Sequence, residues 1–171
     1  FVKSARRHWL RPFASDTTGK HVSFGKALIG AAALSDKLAV MTDGQDRVGI
    51  FLPPGVGAVL ANLATAMLNK PSVNLSYTAS AQDRQYMIAQ AELKTVLTSR
   101  VFLERLQMTH ENLSEAVFLE DIARTITNVD KTRALFKALF CPAKSLAHAR
   151  NAKADDTAAI LFSSGSAGRP K

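Results

Sequence analysis

Short apolar runs rich in β-branched residues alternate with longer segments of helical period along most of the chain. His21–Phe24 shows brief strand-like alternation, after which Ala27, Leu28, Ala31, Leu34 and Leu38 recur on one helical face. RVGIFL, Arg47–Leu52, reads as a buried strand stopped by Pro53-Pro54, which cannot donate to a ladder but can lead into a helix. The helix they introduce, GVGAVLANLATAMLNK, repeats Val56, Val59, Leu60, Leu63 and Met67 at helical spacing. It has almost no charged face, so burial on several sides is expected, up to Pro71. SVNL, Ser72–Leu75, is a further strand. Ser80 followed three residues on by Asp83 has the form of a capped helix start, and that helix is expected to run to about Ala91. KTVLTS gives the next strand, Val101 to about Gln107 a helix, AVFLE at Ala116–Glu120 a strand, and TAAILF at Thr157–Phe162 the last one.

Strands and helices in alternation, joined by short connections, predict an α/β fold with a mainly parallel sheet flanked by helices. The chain divides into a basic lead-in at 1–20, an α/β core at 21–120, a basic helix and connection at 121–156, and a strand with its following loop at 157–171. Its 171 residues suffice for one ordinary core, and the mean hydropathy is +0.01. No apolar run approaches the roughly 18–20 residues needed to span a bilayer. The chain opens on Phe1 with neither an initiator Met nor a signal-peptide pattern and ends inside a motif, so a fragment is the simplest expectation.

The formal charge of +8 is unevenly placed. Residues 1–11 and 131–153 together hold ten of the 22 basic residues and none of the 14 acids, so the excess is regional. Such stretches attract phosphates, an anionic membrane surface or an acidic partner, although a solvated face also fits. The segment DKTRALFKALF, with Leu135, Phe136, Leu139 and Phe140 among basic residues, suits either a membrane surface or packing on the domain. Nucleic acid is not expected, because no aromatic platforms interleave with the charges. The single cysteine, Cys141, rules out an internal disulfide framework and fits a reducing compartment. His8, His21, His110 and His148 have no metal-ligand spacing, so no metal site is expected within the chain.

The chemistry concentrates at the end, in ILFSSGSAGRPK. Ser163, Ser164 and Ser166 offer hydroxyl donors, Gly165 and Gly168 let backbone amides turn inward, and Lys171 adds a positive charge. A strand that opens into such a loop forms a phosphate cradle at the carboxyl edge of a sheet. Neither the P-loop G-x-x-x-x-G-K-[ST] nor the dinucleotide fingerprint G-x-G-x-x-G is present. A flexible Gly/Ser linker is the alternative on composition alone.

Asp155-Asp156 followed by TAAILFSSGSAGRPK resembles the phosphate-binding signature of the AMP-forming acyl and aryl synthetases, the adenylate-forming superfamily. Phe162, Ser163, Ser164, Gly165, Ser166, Gly168, Pro170 and Lys171 match that signature. Ala167 departs from it, where a hydroxyl or carboxyl side chain is commoner, so position 167 is left with backbone or packing contacts. VSFGKAL and RVGIFLPPGVGAVLANLATAMLNKPSVNLSYTAS resemble the superfamily's early elements, with Asn69-Lys70-Pro71 and Asn74-Leu75 departing from the general form. Those departures, with NLSYTAS, KTVLTSRVFLERL, VFLEDI and the arginine-rich FVKSARRH, resemble one branch: the acyl-[acyl-carrier-protein] synthetase half of bacterial bifunctional lysophospholipid acyltransferase/synthetase proteins.

The resemblance implies the N-terminal part of the large domain of an adenylate-forming enzyme. It further implies ATP with Mg2+, a fatty acid substrate, and acyl carrier protein or coenzyme A as thiol acceptor. Ser163, Ser164, Gly165, Ser166, Ala167, Gly168 and Lys171 would hold the ATP phosphates. No catalytic residue is assigned within the 171 residues, and the chain alone is expected to be inactive. The branch implies lysophospholipid reacylation at the cytoplasmic side of the bacterial inner membrane. An acyl-CoA or aryl-CoA synthetase and a basic membrane- or partner-binding module are the alternatives.

Overall fold

The structure is a computed structural model that describes residues 1–17, 19–108, 113, 116–146, 153 and 155–163. Its frame is a five-stranded sheet of β3 (Val48–Ile50), β4 (Ser72–Asn74), β5 (Val96–Thr98), β6 (Ala116–Phe118) and β7 (Ala159–Leu161), in the order β6-β5-β3-β4-β7. Every pairing in it is parallel, as the alternation of elements predicts. A separate antiparallel hairpin joins β1 (Pro12–Ser15) to β2 (His21–Ser23).

β3 lies at the centre, and the chain leaves it in two directions. It crosses through α3 (Val56–Met67) to β4, returns through α4 (Ala81–Gln90) over β3 to β5, and continues through α5 (Arg100–Arg105) to β6. Right-handed crossovers in opposite directions place α3 on one face and α4 with α5 on the other. The core divides accordingly. Phe51, Val73 and Val96 pack with Met87, Phe102 and Leu103, whereas Val48, Ile50 and Leu97 pack with Leu34, Leu38, Ala61 and Ala64. This is the alternation that a strand buried on both faces requires.

Gly49 in the central strand serves close approach. A Cβ there would meet Leu93 Cδ1 and Val96 Cγ2 at 2.9 Å and the Thr95 carbonyl oxygen at 3.2 Å. α2 (Phe24–Met41) starts where Ser23 Oγ accepts from the Lys26 amide at 3.3 Å. Its expected stripe, Ala27, Leu28, Ala31, Leu34 and Leu38, is buried throughout. On its other side Leu28 and Ala31–Ala33 pack with Ala5, Ala134 and Ala138, a second layer formed by α1 (Val2–Arg7), α7 (Asn128–Phe140) and α8 (Ala143–Leu146).

Three details differ from the sequence reading. Of the α3 stripe, Met67 is buried as expected, whereas Val56, Val59, Leu60 and Leu63 are only half-buried; Ala61, Ala64 and Thr65 are fully buried. Close packing between sheet and helix takes small residues, and Thr65 Oγ1 satisfies itself on the Ala61 carbonyl at 2.8 Å. The strand at Ala116–Glu120 ends at Phe118, because Leu119 and Glu120 already belong to α6 (Leu119–Thr125). The region after Asp121 holds more helix than expected: Ile126 is extended, and Thr127 and Asp130 form a capping box that starts α7. No described helix is long and apolar enough to cross a membrane.

Candidate functional site

In a parallel α/β sheet the ligand-binding edge is the carboxyl one. β7 sits at an end of the sheet beside β4, with Ala159, Ile160 and Leu161 opposite Ser72, Val73 and Asn74. Ile160 and Phe162 pack against the core on the α4 and α5 face. Ser163, two residues beyond the strand, is therefore delivered, exposed, to the carboxyl edge next to the β4 exit. Ser164, Gly165, Ser166, Ala167, Gly168 and Lys171 lie outside the described residues.

The other turns on this edge already hold carboxylates at their helix starts. At α3, the Val56 amide donates to Asp16 Oδ2 at 3.4 Å. At α4, Ser80 Oγ accepts from the Asp83 amide at 3.1 Å and donates to Asp83 Oδ2 at 2.7 Å. At α5, Ser99 Oγ accepts from the Phe102 amide at 3.4 Å and donates to Glu120 Oε1 at 2.6 Å. Burial pushes the Glu120 carboxyl up, but hydrogen bonds from Ser99 and from the backbone amides of Glu120, Arg100 and Val101 outweigh it, and the group ends below the usual range. α6 carries Glu120 and Asp121 in its first turn. A helix N-terminus attracts anions through unpaired amides and the helix dipole. Here internal carboxylates take those positions, and an incoming phosphate would meet like charge there.

Arg100 closes the far side of the edge. Its guanidinium grips Asp121 through two bonds of 2.7 Å and lies 4.1 Å from the Phe118 ring centre. The hydrogen bond from Arg100 holds the Asp121 carboxyl below its ordinary value and raises the guanidinium in turn.

Two features near the β4 exit escape a reading by motif. Under β4, Asn62 Oδ1 accepts from Ser72 Oγ at 2.8 Å and from Asn74 Nδ2 at 3.0 Å, while Asn62 Nδ2 donates to Asn74 Oδ1 at 3.1 Å and to the Ala58 carbonyl at 2.9 Å. This network fixes the strand that pairs with β7. The signal for it is an asparagine in an otherwise apolar helix facing a second one in a strand. Behind Phe51, the buried Arg84 places its guanidinium 4.9 Å from the ring centre and donates to the Ala79 carbonyl, and burial lowers its pKa.

Among the described residues no group of three or more His, Cys, Asp or Glu could hold a metal ion. Cys141 is half-buried at the end of α7, its amide donating to the Lys137 carbonyl. A cleft of about 550 Å3 opens at the β6 end of the sheet, lined by Val40, Met41, Val117, Ile122 and their neighbours. It is separated from Ser163 by the width of the sheet and gathers no set of donors for an anion.

Comparison with known proteins adds a family and a fold. The family described as AMP-binding enzyme matches residues 1–171. The structure is similar to O-succinylbenzoate coenzyme A synthetase from Bacillus subtilis in complex with AMP, with a TM-score of 0.72 and 17% identity over 99% of this chain and 40% of that one. It is also similar to a Mycobacterium tuberculosis fatty acyl CoA synthetase, with a TM-score of 0.68, 16% identity, and coverage of 99% and 32%. For the Klebsiella oxytoca NpsA N-terminal subdomain the values are 0.69, 16%, 99% and 38%. The chain thus spans about two fifths or less of the length of these solved proteins.

Proposed function

The chain belongs to the family of AMP-binding enzymes, and from that membership we propose that it supplies the phosphate-loop side of an ATP-dependent acid–thiol ligase. The carboxylate of a fatty acid attacks the α-phosphate of ATP; the bond to pyrophosphate breaks, and an acyl-adenylate and pyrophosphate result. A thiol then takes the acyl group and releases AMP. The acid needs no general base in the first step, since it is already an anion.

One observation carries this reading. The carboxyl-edge starts of α3, α4, α5 and α6 hold carboxylates, which disfavours an anion there and supports the segment that follows β7 as the phosphate site. Its sequence, Ser163 to Lys171, has the hydroxyls, glycines and lysine that the task requires. In this reading Ser163, Ser164, Gly165, Ser166, Gly168 and Lys171 bind the phosphates, Ala167 contributes its backbone, and Lys171 meets charge that shifts onto pyrophosphate. Enzymes of this family use ATP, usually with Mg2+; the metal stabilises phosphate charge when bound.

The finer assignment rests on the branch resemblance: acyl carrier protein as acceptor, with the acyl group passed to a lysophospholipid at the inner membrane, by a fused acyltransferase. An acyl-CoA or aryl-CoA synthetase is the second reading, favoured by the similarity to coenzyme A synthetases.

The test is fatty-acid-dependent exchange of labelled pyrophosphate into ATP by the whole protein, wild type against Lys171→Ala and Ser166→Ala. Losses of about tenfold or more are expected for groups that meet developing charge; unchanged exchange in both variants overturns the assignment of the loop. The 171-residue chain alone is expected to give no exchange above background. Thin-layer detection of the thioester with acyl carrier protein against coenzyme A separates the two acceptor readings.

A further inference from the structure

The two acid-free basic stretches, 130 residues apart in sequence, meet in the fold. Arg6 on α1 donates through Nε to the Ala138 carbonyl at 2.7 Å, through Nη2 to the Lys137 carbonyl at 3.3 Å, and also to the Cys141 carbonyl. These bonds cap the carboxyl end of α7 and hold α1 beside it. Lys3 and Arg7, one turn apart on α1, stay exposed.

α7 is amphipathic in an unusual sense. Its inner face is made of alanines: Ala134 and Ala138 are fully buried against Ala5, Leu28 and Ala31. Its two acid contacts are internal, since Asp130 is held by Thr127 and Lys37, and Lys137 pairs with Asp36 at 2.8 Å. The large apolar residues point outward instead: Val129 is 69% exposed, Phe136 61% and Phe140 68%, with Leu139 at 45%. Helical periodicity puts Val129, Thr132, Phe136, Leu139 and Phe140 on one face, with the exposed Arg133 at its edge; Lys131, also exposed, lies round the helix toward the side of Ala138. The rings of Phe136 and Phe140 pack together, centroids 4.8 Å apart. Next to them a cleft of about 500 Å3 is bounded by Asn128, Val129, Thr132, Arg133 and Phe136.

We propose that the outward face of α7, with the basic end of α1 beside it, docks the protein on an anionic lipid surface, phenylalanines in the acyl boundary and lysines and arginines among the headgroups. Charge complementarity selects this occupant. Arg133 borders the apolar face, Lys3 and Arg7 stay exposed on the helix that Arg6 ties to α7, and the outward face of α7 carries no carboxylate, a combination that suits an interfacial helix on an anionic membrane. No described helix is able to span a bilayer, so the contact is peripheral. The proposal deepens the inner-membrane part of the proposed function by naming the surface that would make the contact; the loop after β7 takes no part in it, so vesicle binding and pyrophosphate exchange fail independently.

The experiment is co-sedimentation of the chain with vesicles of phosphatidylcholine alone and of phosphatidylcholine and phosphatidylglycerol in equal parts, at low and high salt. Wild type is expected to bind the anionic vesicles about tenfold or more better than the neutral ones, and less at high salt. Phe136→Ser with Phe140→Ser, and separately Lys131→Glu with Arg133→Glu, should each lower that binding about tenfold or more, with circular dichroism unchanged. If the serine variant misfolds, Phe136→Trp keeps the bulk and reads the same contact as a blue shift of emission on anionic vesicles. Absence of binding, equal binding to neutral vesicles, binding unchanged in both variants, or no emission shift overturns the proposal. A doubling of mass in light scattering that Phe136→Ser abolishes also overturns it, and assigns the face to a second copy of the chain.

Discussion

Ser99 and Glu120 stand at the exits of neighbouring strands, 2.6 Å apart, with the serine hydroxyl donating to the carboxylate. Glu120 belongs to α6 yet serves the first turn of α5, where it accepts from the Arg100 and Val101 amides. One carboxylate thus ties β5, α5 and α6 together at the edge where ligands bind. Ser99→Ala removes both the cap and the donor, and a loss of about 1 kcal/mol in urea denaturation is expected. Glu120→Gln should bring down the stability near neutral pH while leaving that at low pH almost unchanged. Its folded pKa is depressed, so the charged form stabilises above the ordinary carboxylate range and that gain fades as pH falls through the folded value.

Three helices that return to the sheet finish in one way. After α3, α4 and α5 the chain passes through Asn69 (φ 56°), Glu92 (φ 49°) and Gln107 (φ 53°). In each, the next amide reaches back to the helix, as Leu93 does to Ile88 at 3.0 Å and Met108 to Leu103 at 3.0 Å. Glycine is the residue this left-handed position favours. Glu92→Gly and Gln107→Gly are therefore expected to stabilise the fold, by up to about 1 kcal/mol each, as a higher urea midpoint with an unchanged slope.

Adding one methyl group should have opposite signs at two glycines. At Gly49 the new Cβ falls within 3.2 Å of side chains and backbone from β5 and the turn before it, so Gly49→Ala is expected to cost about 1–3 kcal/mol. At Gly57, on the exposed side of α3, the nearest atom is Leu119 Cδ1 at 3.8 Å, an ordinary contact. Gly57→Ala should stabilise by about 0.5–1 kcal/mol. Thermal unfolding of the two variants checks the pair.

The strands of the sheet were legible because each is a short apolar run closed by proline, a capping serine or a polar turn, and β3 to β6 follow those runs within a residue or two. The α2 stripe was legible for the same reason, its large residues being the buried ones. α3 is less buried than its lack of charge suggests: of the expected stripe Met67 is buried and the other large residues are half-buried, while alanines meet the sheet. The ends of α4 and α5 fall within two residues of the expected Ala91 and Gln107, but the left-handed residues that follow α3, α4 and α5 were not legible, since glycine normally marks them and here Asn69, Glu92 and Gln107 stand in its place. Contacts such as Arg6 with α7, or Asn62 with Asn74, join residues whose meeting depends on the finished fold. The candidate site was read from the loop motif, of which the structure describes Ser163; the carboxylates at the neighbouring helix starts were not read in advance.

Asp130 gives a pH test of the α2–α7 packing. The Thr127 amide donates to its carboxylate at 2.8 Å and Lys37 approaches to 3.1 Å, and these contacts bring its pKa down from 3.8 to about 2. The folded state therefore prefers the charged form. The resulting stabilisation is complete above the ordinary value of 3.8, shrinks as pH falls from there toward about 2, and is absent below it. Asp130→Asn should lower the urea midpoint near neutral pH, and the gap between wild type and variant should close over that window. A gap that stays constant down to about pH 2 would show that the carboxylate's charge does not contribute to holding α7 on α2. Because the outward face of α7 is built on that anchor, the same variant should also loosen the exposed Phe136 and Phe140 pair, measurable as faster amide exchange along Asn128–Phe140.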